Sequence, residues 1–77
     1  MRVKVRLVSI FTKYLDDYPD GIVEVPDGAT MRILAEQLGL PMKLVRIMAI
    51  NGNQVDLKAE LSDGDNVFIF PPALGGG

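Results

Sequence analysis

The sequence predicts an α+β domain in which a single helix packs on one mixed sheet. Three observations predict it. Residues 2–7 alternate strictly between apolar and charged side chains, residues 31–38 carry a helical apolar stripe, and a second strand-like run, Asn66-Val67-Phe68-Ile69-Phe70, closes the pattern. A chain of 77 residues, 48% of them hydrophobic, has room for one small domain with a modest core and none for a second.

In the first strand Val3, Val5 and Leu7 fall on one face and Arg2, Lys4 and Arg6 on the other, the period-two pattern of a half-buried strand. The pattern fades through Ser9–Tyr18, and Asp16-Asp17-Tyr18-Pro19-Asp20-Gly21 is rich in turn formers. Ile22-Val23-Glu24-Val25 then reads as a short second strand, hairpinned to the first through a long loop. After Pro26-Asp27-Gly28, Thr30 offers an N-cap oxygen to a helix whose stripe is Met31, Leu34, Ala35 and Leu38. Gly39 sits where a left-handed residue would close that helix, and Pro41 prevents its continuation.

Residues 41–46 form a turn or short helix in this reading, and Ile47–Ile50 is a fully buried strand. Asn51-Gly52 is a hairpin signal leading to a short return strand at Gln54-Val55. Leu57 and Leu61 are expected to plug the core, and Ser62-Asp63-Gly64-Asp65 turns the chain into the last strand. Pairing the first and last strands at the sheet centre would bury the most apolar area. Asn51-Gly52 and Asp63-Gly64-Asp65 are read as turn chemistry, with no metal site.

The composition excludes several kinds of function. There is no cysteine and no histidine, so the usual nucleophile-base pairs and most transition-metal sites have no side chains to form them. A self-sufficient enzyme is therefore not expected, and no cofactor is. A net charge of −2 with one basic cluster, Arg2, Lys4 and Arg6, argues against nucleic acid as a partner. No stretch approaches the roughly 20 apolar residues of a membrane span, and a cytoplasmic location without membrane contact is the expectation.

The chemistry is expected at the end of the sequence, where Phe70-Pro71-Pro72-Ala73-Leu74 leads to Gly75-Gly76-Gly77. Glycines without Cβ atoms can lie extended in a slot too narrow for other residues. Five residues beyond Pro72 span at most about 17 Å when extended, enough to reach into a partner's buried site. Pro71 and Pro72 favour an extended exit that loses less chain entropy on insertion, and Leu74 would anchor in a partner groove. Phe68 and Phe70 alternate with Val67 and Ile69, so one pair faces away from the helix. Two readings stay open for it: ordinary packing, or a partly exposed apolar patch that docks a partner.

Taken together, the element order, Val25-Pro26-Asp27-Gly28-Ala29-Thr30, Ala49-Ile50-Asn51-Gly52, Asp63-Gly64-Asp65 and the Phe-Pro-Pro…Gly-Gly ending resemble the MoaD/ThiS family of ubiquitin-like sulfur carriers. The Phe-Pro-Pro step looks most like the molybdopterin synthase small subunit. The resemblance implies a β-grasp fold, with four to five strands on one main helix over residues 1–72 and a flexible tail over 73–77. It also implies that the Gly77 carboxylate, with Gly76 completing the diglycine, is adenylated by an E1-like enzyme and converted to a thiocarboxylate. Phe68, Phe70, Pro71, Pro72, Leu74 and Gly75 would contact partners, namely the E1-like enzyme and a sulfur-accepting large subunit or synthase.

The chain would then be a small subunit or sulfur donor, most simply in molybdopterin biosynthesis. Sulfur delivery for thiamine, tRNA thiolation or amino acid synthesis uses the same tail chemistry. A ubiquitin-like modifier forming isopeptide bonds and a plain interaction domain with an inert tail also remain open.

Overall fold

The computed structural model describes residues 1–72. Five strands form one sheet: β1 (Arg2–Leu7), β2 (Ile22–Glu24), β3 (Ile47–Ile50), β4 (Asn53–Val55) and β5 (Asn66–Phe70), in the order β2-β1-β5-β3-β4. One helix, α1 (Met31–Gln37), provides the second layer. β1 and β5 run parallel near the centre, with Val5 opposite Val67 and Leu7 opposite Ile69, while the other pairs are antiparallel. This is the β-grasp arrangement expected from the sequence, and the central pairing of first and last strands is the one expected.

The alternation in β1 is fully expressed. Val3, Val5 and Leu7 are buried and Arg2, Lys4 and Arg6 exposed. The inward residues of β1 and β5 join Val23, Met31, Leu34, Ala35, Leu38 and Met48 in one core. Leu61 is buried and Leu57 half-buried against it, as the spacing predicts.

A helix of seven residues is too short to hold itself together in water, so its ends need external partners. At the start, the Thr30 hydroxyl accepts from the Ile33 N–H at a long 3.4 Å. The Met31 and Arg32 N–H groups donate instead to the carbonyls of Ala59 (2.9 Å) and Leu57 (3.1 Å). The loop before β5 therefore caps α1 more tightly than Thr30 does. At the other end Gly39 takes φ +77°, the left-handed closure expected of it.

Two expectations are corrected. The segment after β1, which shows no legible period, forms a 3₁₀ helix at Ser9–Leu15 that delivers Phe11, 0% exposed, into the core. In 3₁₀ geometry a seven-residue turn has no amphipathic stripe to read; one aromatic does the packing. β3 is not fully buried: Met48 points inward, but Ile47 is 46% exposed. Its apolar run covers both faces of a sheet that carries a helix on only one.

The turns match their residues. Asn51 and Gly52 both have positive φ, 52° and 85°, as a two-residue hairpin between β3 and β4 requires. In the Asp63-Gly64-Asp65 turn, Asp63 Oδ1 accepts the Arg2 N–H (2.8 Å), and buried Asp65 accepts from Ser62 N–H (2.7 Å) and Asn51 Nδ2 (3.0 Å). Both aspartates serve the backbone, as read from the sequence.

Candidate functional site: the outer sheet face and the exit from β5

Side chains two apart on a strand share a face, so burying Val67 and Ile69 forces Phe68 and Phe70 outward. Both are half-buried, and their rings stack with centroids 5.5 Å apart and planes 10° apart. The register places Arg6 beside Phe68 on one flank, and the Arg6 guanidinium carbon lies 5.6 Å from the Phe68 ring centre. On the other flank Ala49 pairs with Phe68 and Ile47 with Phe70.

The result is an apolar patch of Phe68, Phe70, Ile47 and Ala49, edged by Arg6. Phe68 and Phe70 are thus partly exposed on the face away from the helix. Parallel strands normally have both faces covered, and here, among the described residues, only the helix side is.

Sequence reasoning singled out Phe68 and Phe70 but missed Ile47, Ala49 and the Arg6 contact. The missing signals were the antiparallel β3–β5 register, which sets Ile47 and Ala49, and the parallel β1–β5 register, which sets Arg6; no single-strand pattern contains either. Lys4 continues the basic row of Arg6, and with Asn66 and Phe68 the two cations line a shallow depression of about 230 Å³.

The patch ends at the point where the chain leaves the sheet. Phe70 is the last residue of β5, and Pro71 and Pro72, both half-buried, follow it directly. Neither proline has an N–H to donate, so β5 pairing stops and the chain is directed off the sheet end. Leu74, Gly75, Gly76 and Gly77 lie outside the described residues. Among the described residues, no helix is long and apolar enough to cross a membrane.

The strand order β2-β1-β5-β3-β4 with one helix across it defines the ubiquitin-like β-grasp class of small proteins. The chain belongs to the ThiS family, whose model matches residues 8–76. A solved structure of a Pyrococcus furiosus protein, described as molybdopterin converting factor subunit 1, is 31% identical over 95% of this chain and 99% of its own, with a TM-score of 0.72. The small archaeal modifier protein 1 of Haloferax volcanii shares the fold at 18% identity, with a TM-score of 0.72 over 94% of this chain and 98% of its own. No curated protein matches the sequence. The family is one of small carrier or subunit proteins rather than catalytic enzymes.

Proposed function

We propose that the chain is a sulfur carrier whose Gly77 carboxylate is activated as an acyl-adenylate by an E1-like enzyme and converted to a thiocarboxylate. The observation that carries this reading is membership of the ThiS family over residues 8–76, which takes in Gly75 and Gly76. A free carboxylate, ionised at neutral pH, is a poor acyl donor. Attack of its oxygen on the α-phosphorus of ATP expels pyrophosphate and makes AMP the leaving group. A sulfide-level sulfur nucleophile then displaces AMP, leaving a thiocarboxylate, a soft nucleophile that a chain without cysteine has no other means of presenting.

The sheet's role is to dock and aim. The Phe68–Phe70 patch lies beside the exit at Pro71 and Pro72, so a partner bound to the patch is positioned to receive residues 73–77 in its active site. The recipient we propose is the large subunit of a molybdopterin synthase-like enzyme. Support comes from the 31% identity to a protein described as a molybdopterin converting factor subunit.

The test is intact-mass analysis of the chain after incubation with its E1-like enzyme, ATP and a sulfur donor. The expected result is a gain of about 16 Da, the exchange of oxygen for sulfur, confined to the peptide containing Gly77. Capture of the adenylate by lysine amines, seen as higher-mass adducts resistant to thiol reductants, would replace the carrier reading with protein modification. No adenylate at all would reduce the chain to a binding module.

A further inference from the structure

A second concave surface lies on the other side of the sheet end, away from the phenylalanine patch. It is a groove of about 460 Å³ between the start of α1, the approach to β3 and the segment following β4. Its floor is apolar: Met48 is buried, and Val55 and Leu57 are half-buried. Its rim carries Arg32, Arg46 and Lys58, all exposed and none in an ion pair among the described residues.

The one acid in the lining is Asp56, and its Oδ1 accepts the Lys58 backbone N–H (2.8 Å), holding the turn. The groove thus gathers three cations against one anion in a protein whose net charge is −2. That concentration sets it apart from the depression beside Arg2 and Lys4, which also contains Asp20 and Asp63.

β4 is the last strand of the sheet, so its outer backbone edge is open along the groove among the described residues. An open edge suits an extended chain. We propose that this groove docks an acidic, extended segment of a partner protein, which seats one apolar side chain over Met48, Val55 and Leu57 while its carboxylates meet Arg32, Arg46 and Lys58.

The location gives the site a use. Arg46 immediately precedes Ile47, whose register partner is Phe70, so the groove and the exit from β5 share one end of the sheet. A partner that receives residues 73–77 can hold the domain at the patch and at the groove together. That use rests on the proposed tail chemistry; the groove's affinity for an acidic segment does not.

The experiment is an NMR titration of the full chain with a synthetic acidic peptide of about six residues carrying one central leucine. Versions with glycine for the leucine, or glutamines for the glutamates, serve as comparisons. The expected result is amide shifts centred on Arg46, Met48, Val55, Leu57 and Lys58, and about tenfold weaker binding when the leucine is removed, as burial of one such side chain predicts. A double variant, Arg46→Glu with Lys58→Glu, changes exposed residues only and should weaken binding at least tenfold while leaving the melting temperature unaltered. Shifts centred on Arg2, Lys4 and Arg6, binding indifferent to the leucine, or no binding would each overturn the proposal. Failure of thiocarboxylation in the unmodified chain would overturn only the tail reading.

Discussion

Phe68 and Phe70 lie stacked on the open face of the sheet, 5.5 Å between ring centres, with Arg6 over the first of them. A pair of large rings kept half-exposed at the centre of a small sheet contributes less to the fold than a buried pair would. In the proposed docking role it is a preformed apolar surface. Replacing Phe68 with Ser should therefore separate docking from stability. The expected effect is a fall of tenfold or more in kcat/KM for adenylation by the E1-like enzyme, the size of a central interface contact, with a stability loss of only about 1 kcal/mol. Undiminished adenylation by a folded Phe68→Ser protein would remove the patch from the docking surface.

Asp65 and Asn51 form the second test. Asp65 Oδ1 accepts from Asn51 Nδ2, and Asn51 Oδ1 accepts the Asn66 N–H (2.9 Å), so the pair ties the β3–β4 turn to the start of β5. Asp65→Ala leaves the Ser62 N–H and the Asn51 amide without their acceptor and should cost about 2–3 kcal/mol in urea denaturation. In a double-mutant cycle with Asn51→Ala, a coupling of about 1 kcal/mol is expected. Any backbone strain relieved or added at Asn51, φ 52°, cancels in the cycle. Strictly additive losses would show that the two side chains act separately.

Gly21 and Gly28 separate two costs that are usually confounded. Both have positive φ, 76° and 82°, so alanine is strained at either. Only at Gly21 would a Cβ also meet a backbone atom, the Val5 carbonyl oxygen at 3.0 Å, and the Val5 N–H donates back to the Gly21 carbonyl at 2.8 Å. Gly28→Ala should cost about 1 kcal/mol, and Gly21→Ala roughly twice that, because the β1–β2 connection must shift to admit the methyl group. Equal melting temperatures for the two variants would mean that the close approach relaxes without cost.

These features differ in how far the sequence exposes them. The alternation of β1 and the stripe of α1 are legible because each has one buried face, and periodicity encodes a face. Asn51-Gly52 is legible because its turn type demands those residues. Ile47 was misplaced because an all-apolar strand has no period from which to infer its exposed side. Phe11 was missed because one buried ring in a 3₁₀ turn leaves no pattern. The patch and the groove are both products of register: Arg6, Phe68 and Ala49 meet across three strands, and Arg32, Arg46 and Lys58 converge from separated segments. The glycines at 75–77 lie outside the described residues, so the role proposed for them rests on the sequence reading alone.

The start of α1 tests how much of the helix is local. Thr30 has the residue type of a strong N-cap, and sequence alone would assign its removal about 1 kcal/mol. In the structure its oxygen lies 3.4 Å from the Ile33 nitrogen, and the Ala59 and Leu57 carbonyls satisfy the two preceding N–H groups. Thr30→Ala should therefore cost no more than about 0.5 kcal/mol, the low end for a cap. Leu34, 0% exposed and packed against the sheet, should cost about 3–5 kcal/mol when truncated to Ala. A domain of this length has only about 4–12 kcal/mol of total stability, so that single truncation brings it near its unfolding threshold. Urea titrations of the two variants decide the matter. A large Thr30→Ala effect would make the helix locally specified, whereas the expected order makes α1 a helix imposed by the sheet below it and the 57–61 loop at its end.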